Sequence, residues 1–288
     1  MAPSSSSFGS YLRIFWLLFL LPFVLIGAFL LFAAKGWIGE DLPSFSELEN
    51  PKSALASEII SADQVVIGKY YIQNRTNVHY YELSPNLINA LKATEDIRFE
   101  SHSGVDLRGL LRAVFSAGTS GGGSTITQQL AKNLFHERPG TKVERVIQKV
   151  QEWIIAVQLE RRYTKEEIMA MYLNTVEFSS NAFGIKSASR TYFNKLPSEL
   201  NVQEAAVLVG MLQAPTKFNP VRNPKNSLAR RNVVLAQMNK YDFITDAQFD
   251  SLKAMPILLD FQQDDHNVGL ATYFREVLRQ EMLKWCKE

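Results

Sequence analysis

Residues 93–104 of the chain read A-T-E-D-I-R-F-E-S-H-S-G and close a segment whose apolar residues recur with helical spacing. Two adjacent carboxylates, Glu95 and Asp96, stand near the start of this stretch. If the helix continues through it, Glu95, Phe99 and His102 lie at positions i, i+4 and i+7 and share one face. The pattern then groups a carboxylate, an aromatic ring and an imidazole, although charges at a helix end more often form an exposed, solvated surface.

The composition is that of an ordinary globular protein. The 288 residues are 46% hydrophobic and 21% charged, enough to bury the core of one large domain or two small ones. The formal net charge of +2 gives no indication of a nucleic-acid partner. A single cysteine, Cys286, excludes an intrachain disulfide, and the four histidines lack the paired spacing of a zinc site.

The N-terminal region contains one long uncharged segment. Residues 14–34 read IFWLLFLLPFVLIGAFLLFAA, and 21 helical residues at about 1.5 Å each cross a hydrocarbon core of about 30 Å. This is longer than the apolar region of a cleavable signal peptide, so we predict an uncleaved transmembrane anchor after an N-terminal tail at 1–13. Arg13 and Lys35 flank the segment evenly, so charge does not orient it. A short tail before a long folded chain favours an N-terminus inside the cell and an exported domain.

The remaining chain divides into a linker, a folded domain and a tail. Glycines and prolines among polar residues predict a juxtamembrane linker over 35–56. The domain at 57–254 begins with a predicted strand-rich segment at 57–83 and continues with periodic helical segments at 85–254. We therefore predict a mainly α fold. The composition changes at 255–288, which we predict to begin a linker to a C-terminal domain that is missing or absent.

A second informative stretch, at 118–133, reads G-T-S-G-G-G-S-T-I-T-Q-Q-L-A-K-N. Its glycines let the backbone bend, and Ser124 is a natural N-cap for a helix that presents Thr125, Gln129 and Lys132 on one face. A hydroxyl, an amide and an ammonium beside a glycine turn suit an anionic ligand rich in hydroxyl groups. The spacing does not match a nucleotide-binding P-loop. The alternative is a flexible loop that opens an ordinary polar helix.

A third stretch is the helix predicted around 144–162. Lys149 and Glu152 lie one turn apart on this helix. They adjoin a predicted apolar stripe formed by Val146, Val150, Trp153 and Val157. Glu152 is therefore expected at the edge of the core, next to a cation. The alternative is a simple intrahelical ion pair, which stabilises a helix by only a few tenths of a kcal/mol.

In their order, these stretches resemble the motifs of the peptidoglycan glycosyltransferases, the transglycosylase domain of class A penicillin-binding proteins and of monofunctional transglycosylases. The matching patterns are E-D-x-x-F-x-x-H-x-G from Glu95, G-S-T-I-T-Q-Q-L-x-K-N from Gly123, K-x-x-E-x-x-x-A-x-x-L-E from Lys149 and Y-L-N from Tyr172. They cover roughly residues 57–240, and the ordered set is far more specific than any one motif.

The resemblance implies a lysozyme-like, mainly helical fold on the outer side of the bacterial cytoplasmic membrane. It implies lipid II and a growing lipid-linked glycan as substrates and division or elongation proteins as partners, with no nucleic acid. Glu95 matches the general base, while Lys132 and Lys149 match cations that face the leaving pyrophosphate. Glu152 matches a second catalytic glutamate, which orders the donor site or holds a divalent Mg²⁺ or Mn²⁺ ion, although no cofactor is required.

Further residues match the motifs by position. The resemblance implies substrate binding by Ser124, Thr125, Gln129 and Asn133, and a supporting role for Asp96, Phe99, His102, Arg145 and Asn174. Within this set we expect His102 to position its loop rather than to act in catalysis.

The chain departs from the family pattern at several positions. Gln148 stands where the family has an arginine, for which Arg145 one turn earlier is a candidate substitute. Ser179, Asn181 and Lys186 replace two glycines and a glutamate. The set of three transpeptidase motifs, S-x-x-K, S-x-N and K-T-G, does not occur, so we expect either a monofunctional enzyme or the front part of a longer protein.

Two other functions share some of these features. A membrane-anchored lysozyme-like hydrolase also uses a catalytic glutamate, but it does not need Lys132 and Lys149. A scaffold that binds lipid II without catalysis tolerates the loss of Glu95.

Overall fold

The structure, a computed structural model, describes residues 5–34, 57–63, 66–70, 77–115, 123–135, 139–262 and 272–285. Most of these residues are helical. In chain order the elements are α1 (Ser5–Ala34), β1 (Ser57–Ile60), β2 (Val66–Tyr70), α2 (Pro85–Glu95), α3 (Leu107–Phe115), α4 (Ile126–Phe135), α5 (Lys142–Glu160), α6 (Lys165–Thr175), α7 (Ile185–Phe193), α8 (Val202–Met211), α9 (Pro224–Lys240), α10 (Asp246–Ala254) and α11 (Thr272–Trp285). The helices predicted between residues 85 and 254 are all present, so the mainly α fold is confirmed.

The helix starts follow from local sequence. α5, α6, α8 and α10 each begin with a capping box, in which the N-cap side chain and the side chain three positions later bond each other's backbone N–H groups. The pairs are Thr141/Glu144, Thr164/Glu167, Asn201/Glu204 and Thr245/Gln248. α2 begins after the N-cap Ser84 with a proline, whose missing N–H has no partner at that position anyway.

The core is built around α8, whose residues from Ala205 to Met211 are all buried. A helix that is apolar on every side must be enclosed, and α2 and α9 pack against α8 and against each other. A second group forms where α4 packs against α5 and α6. The two groups meet at Glu95, the last residue of α2, which is hydrogen-bonded to α4.

The strands form one antiparallel hairpin, in which β1 pairs with β2. The prediction of a strand-rich segment at 57–83 is wrong beyond this hairpin, because the chain from Val78 forms a loop and then a 3₁₀ turn at Tyr80–Glu82. The side-chain amide of Asn174 bonds both backbone groups of Val78, at 3.0 Å to its N–H and 2.9 Å to its C=O. Those groups are therefore not available to a sheet ladder. Residues 64–65 and 71–76 lie outside the described residues.

Within the described part of the chain, α1 is the one helix long and apolar enough to cross a membrane by length and composition. It begins at Ser5 rather than at the predicted Ile14, and its candidate span runs over Gly9–Phe29 with a mean hydropathy of 2.3. α1 contacts α5. The predicted linker at 35–56 lies outside the described residues.

The packed domain continues past the boundary predicted at residue 254. The fully buried Arg231 donates from its guanidinium to the backbone carbonyl of Met255, at 2.8 Å. The N–H of Asp260 then donates to the carbonyl of Tyr192 on α7, at 3.1 Å. Residues 255–262 are therefore tied to the domain. Apart from α11, the rest of the predicted tail lies outside the described residues.

Candidate active site

α2 ends at Glu95 and does not continue towards Phe99 and His102. Asp96 leaves the helix with φ −158°, and its carboxylate accepts a hydrogen bond from the N–H of Ile126 in the first turn of α4, at 3.1 Å. Negative charge is favourable at a helix N-terminus, so α4 holds Asp96 away from α2. The predicted common face of Glu95, Phe99 and His102 therefore does not form.

The loop after α2 is held by His102 and Gly104. Nδ1 of His102 accepts from the N–H of Gly104 (3.2 Å), so Nε2 carries a proton and donates to Asp96 (2.9 Å). Gly104 has φ +93°, and a Cβ there would stand 2.7 Å from the backbone of Ala156 on α5, so the position requires glycine. Phe99 is 1% exposed beneath the same loop. These residues shape the loop and leave the open cleft to others.

A cleft of about 840 Å³ lies between the end of α2 and helices α4, α5 and α9. Its charged lining consists of the carboxylates Glu95, Asp96 and Glu152 and the cations Arg112, Lys132, Arg145, Lys149, Arg230 and Lys240. Ser124 and Gln129 add neutral polar groups. Because the cations outnumber the carboxylates by two to one, the electric field in the cleft favours an anionic ligand.

Glu95 lines the cleft with one carboxylate oxygen unoccupied. Its Oε2 accepts from Nε2 of Gln129 (2.8 Å), and Oε1 of Gln129 accepts in turn from the hydroxyl of Tyr172 (2.9 Å). Oε1 of Glu95 has no hydrogen-bond partner among the residues that the structure describes. A half-buried carboxylate with a free oxygen is suited to take a proton from a hydroxyl group.

Glu152 is 1% exposed, and cations occupy both of its oxygens. Its Oε1 accepts from Nη1 of Arg145 (2.7 Å) and its Oε2 from Nζ of Lys149 (2.8 Å). Nζ of Lys149 also donates to Oγ of Ser124 (2.7 Å) and Oε1 of Gln128 (2.9 Å), which uses all three of its hydrogens. Burial lowers the pKa of Lys149, and the hydrogen bond to Glu152 opposes that shift. The pair is therefore part of a tertiary cluster rather than a simple intrahelical pair.

Two other cations of the cleft are differently placed. Lys132 is exposed and has no partner among the described residues. Arg230 is half-buried, its Nε has no hydrogen-bond partner in the same part of the chain, and burial lowers its pKa against the opposing charge of Glu95. Sequence reasoning missed Arg230, because adjacent arginines on a polar helix give no local signal of a cleft.

Three predicted substrate or supporting residues lie elsewhere. Thr125 is the residue before α4, so helical spacing does not apply to it, and its hydroxyl donates to the carbonyl of Gly104 (2.6 Å). Asn133 is exposed and does not line the cleft. Asn174 is committed to the backbone of Val78. We therefore assign Thr125 and Asn174 to the architecture of the domain.

The residues around Glu152 do not fit a divalent cation. Hard cations such as Mg²⁺ take carboxylate oxygens as ligands, but both oxygens of Glu152 already bind cationic side chains, which would repel the ion. In the described ranges, no three His, Cys, Asp or Glu side chains form a group that could hold a metal. The geometry therefore offers no metal site centred on Glu152.

A family profile described as Transglycosylase matches residues 63–239. The chain belongs to the transglycosylase family. Among relatives of this transglycosylase, penicillin-binding protein 1A of Escherichia coli (strain K12) is 35% identical over 90% of this chain and 30% of its own length. Penicillin-binding protein 1A/1B of Bacillus subtilis (strain 168) is 39% identical over 85% of this chain and 26% of its own length. The chain thus spans about a third or less of the length of these relatives.

The crystal structure of penicillin-binding protein 1A from Haemophilus influenzae matches this transglycosylase at 23% identity and a TM-score of 0.45, covering 82% of this chain and 25% of that one. All charged residues of the cleft except Lys240 lie within the range that the family profile matches. The predicted enzyme class, a peptidoglycan glycosyltransferase, is confirmed at the level of the family.

Proposed function

We propose that this transglycosylase polymerises lipid II into glycan strands. The 4-hydroxyl of a GlcNAc attacks C1 of the lipid-linked MurNAc of the growing strand, the anomeric centre inverts, and undecaprenyl pyrophosphate leaves. The Glu95 carboxylate takes the hydroxyl proton as general base. The observation that carries the proposal is Oε1 of Glu95, which has no hydrogen-bond partner among the described residues and lies at the wall of a cleft rich in cations.

The leaving pyrophosphate gains negative charge as its bond to C1 breaks, so it needs cations with free N–H donors beside it. Lys132 meets this need best, because it lines the cleft and is unpaired among the described residues. The side chain of Arg145 is 42% exposed and keeps N–H groups beyond the one that binds Glu152. Lys149 has no hydrogen left to donate, so we assign it to holding Glu152 and Ser124 while contributing positive charge.

A lipid-linked substrate requires the cleft to lie close to a membrane. Two observations on α1 support this arrangement: its length and composition suit a membrane span, and it contacts α5, the helix that carries Arg145 and Lys149. We place the domain on the outer side of the bacterial cytoplasmic membrane with the N-terminus inside, and division or elongation proteins are the expected class of partner.

The state of Glu152 supports transfer over hydrolysis. A glycan hydrolase protonates its sugar leaving group with a second carboxyl group. Both oxygens of Glu152 accept hydrogen bonds from cationic side chains, so neither is available to a sugar leaving group. A pyrophosphate leaving group is stable as an anion and needs cations instead of an acid, which agrees with the lining of the cleft.

The substitution Glu95→Gln tests this function, because it removes the base and keeps the size of the side chain. We expect polymerisation of lipid II to fall by about 1,000-fold, with the thermal unfolding midpoint unchanged. Glu100→Gln is the matched control, since Glu100 is exposed and pairs with Lys92 at the surface, and it should polymerise at the wild-type rate.

Product analysis on the same samples separates the alternatives. Wild-type protein should give polymer and released undecaprenyl pyrophosphate. Hydrolysed fragments in place of polymer would identify a hydrolase, and binding of lipid II without turnover would identify a scaffold. Polymer from Glu95→Gln at the wild-type rate would remove Glu95 as the base.

A further inference from the structure

The carboxylate of Glu95 ends a chain of three side chains that come from three helices. Tyr172 of α6 donates from its hydroxyl to Oε1 of Gln129 on α4, at 2.9 Å. Nε2 of Gln129 donates to Oε2 of Glu95 on α2, at 2.8 Å. Tyr172 is 1% exposed and Glu95 lines the cleft, so the chain runs from the core to the cleft wall.

Charge fixes the direction of these two hydrogen bonds. An ionised carboxylate can only accept, so Gln129 must turn its NH₂ group towards Glu95 and its carbonyl oxygen towards Tyr172, which must donate. Burial, assisted by the charge of Glu95, holds the pKa of Tyr172 well above its ordinary value, so the hydroxyl keeps the proton that it donates. In the described residues, no other group bonds the side chain of Gln129.

We infer that Tyr172 is a positioning residue, which acts through Gln129 to hold the Glu95 carboxylate with Oε1 open to the acceptor hydroxyl. This inference rests on the proposed function and deepens it. Gln129 occupies Oε2 and leaves Oε1 to receive the proton. As the new bond from the acceptor oxygen to C1 forms, the hydroxyl proton passes to Oε1, and the electron pair of the breaking C1–O bond leaves with the pyrophosphate.

Other charged and titratable groups line the cleft together with Glu95, and they stay in place when only the Tyr172 hydroxyl is removed. They are Asp96 after α2, Arg112 on α3, Lys132 on α4, Arg145, Lys149 and Glu152 on α5, Arg230 and Lys240 on α9, and Tyr241 after it. α8, which packs against α2, carries one charged residue, Glu204, which pairs with Lys195 and does not line the cleft. A changed pH dependence in a Tyr172 variant therefore reports the orientation of Gln129.

The test is Tyr172→Phe in the full chain, which removes one oxygen and keeps the ring. We expect kcat for lipid II polymerisation to fall about tenfold with KM unchanged, because the hydrogen bond that orients Gln129 towards Glu95 is lost. The acidic limb of the pH–rate profile should move to higher pH, since the hydrogen bond from Gln129 to Glu95, which Tyr172 orients, favours the ionised carboxylate. Without substrate, the Gln129 side-chain amide proton that faces Glu95 should lose its downfield NMR shift and its protection from exchange.

Tyr192→Phe is the matched control. Its hydroxyl is equally buried and donates to the carbonyl of Phe178 at 2.8 Å, outside the cleft. This variant should unfold at a lower temperature but keep the wild-type pH profile and the wild-type Gln129 amide signal. If Tyr172→Phe behaves in the same way, the positioning role is overturned and Tyr172 is merely structural.

Two further results distinguish a failure of the role inferred for Tyr172 from a failure of the proposed function. Adding Tyr172→Phe to Gln129→Ala should cause no further loss of kcat, and an additional loss would show that Tyr172 acts by another route. Wild-type protein that makes no polymer would overturn the proposed function. In that case the amide signal of Gln129 would still decide whether Tyr172 orients it.

Discussion

The end of α2 and the middle of α5 each bring a glutamate to the same cleft, in opposite states. Glu95 is half-buried, has one neutral partner, and keeps an oxygen that no described residue occupies. Glu152 is 1% exposed, and Arg145 and Lys149 occupy both of its oxygens. Two residues of the same type therefore offer different chemistry in one cleft.

The difference follows from what surrounds each carboxylate. A carboxylate that accepts a proton needs an oxygen that is not already engaged, and Oε1 of Glu95 has no partner among the described residues. A buried carboxylate needs compensating charge, and removing one member of such a cluster leaves the other members uncompensated. Glu152 thus holds the cations Arg145 and Lys149 of α5, while Glu95 uses only one oxygen in contacts with described residues.

Among the substitutions in the cation cluster of α5, Glu152→Gln should reduce stability the most. It leaves Arg145 and Lys149 without a carboxylate, so we expect the free energy of unfolding to fall by about 3 kcal/mol, measured by chemical denaturation. Glu144→Gln on the same helix is the control, because a glutamine preserves the capping box, and its midpoint should stay near wild type. An unchanged midpoint in Glu152→Gln would mean that the two glutamates do not differ as described.

The next effect concerns Lys132, the cleft lysine that has no partner among the described residues. Lys132→Ala should lower kcat/KM for polymerisation by about 100-fold, because one donor to the leaving pyrophosphate is lost from the transition state. Its unfolding midpoint should not change, since Lys132 has no partner among the described residues. Lys142→Ala, at an exposed lysine outside the cleft, should leave the kinetics unaltered. Equal kinetics for the two variants would remove Lys132 from the phosphate site.

The smallest effect concerns one of the three hydrogen bonds that Lys149 donates, the one to Ser124. Ser124→Ala removes one of three acceptors, so we expect about 1 kcal/mol of destabilisation. The thermal unfolding midpoint of Ser124→Ala should be compared with that of Ser103→Ala, which changes an exposed serine outside the cleft. A loss as large as that of Glu152→Gln would show that Ser124, rather than the carboxylate, organises the cluster.

Helical periodicity was enough to predict the helices, and the resemblance of the motifs to the family indicated much of the cleft. Glu95, Lys132 and the Lys149–Glu152 pair all line it as the motifs suggested. The apolar stripe predicted for α5 is correct at Val150, which is buried, and wrong at Val146, which is 57% exposed. Glu152, which was expected at the edge of the core next to one cation, is buried, and two cations compensate its charge.

Contacts between distant segments could not be predicted. Arg230 and Arg231 are neighbours in sequence, yet Arg230 lines the cleft while Arg231 is buried and binds the carbonyl of Met255. The outcome depends on how α8 and α10 pack around α9, which local pattern does not encode. The hydrogen bond from Tyr172 to Gln129 likewise joins two helices that only the tertiary fold brings together.

Ser179 and Asn181, which stand where the family pattern has glycines, both have a positive φ angle. Ser179 and Asn181 adopt φ of 60° and 59°, the left-handed conformation in which a side chain costs about 1–2 kcal/mol. The side chain of Asn219 donates to Oγ of Ser179 at 3.2 Å, which helps to hold this loop. The backbone thus keeps a conformation that suits glycine although the glycines are replaced.

The most direct test of the account compares Glu95→Gln and Glu152→Gln side by side, with lipid II polymerisation and thermal unfolding measured on the same preparations. Glu95→Gln should unfold at the wild-type temperature and polymerise lipid II about 1,000-fold more slowly than wild type. Glu152→Gln should unfold at a lower temperature and lose activity together with stability. Polymer formation by folded Glu95→Gln above about a tenth of the wild-type rate would contradict the assignment of Glu95 as the base.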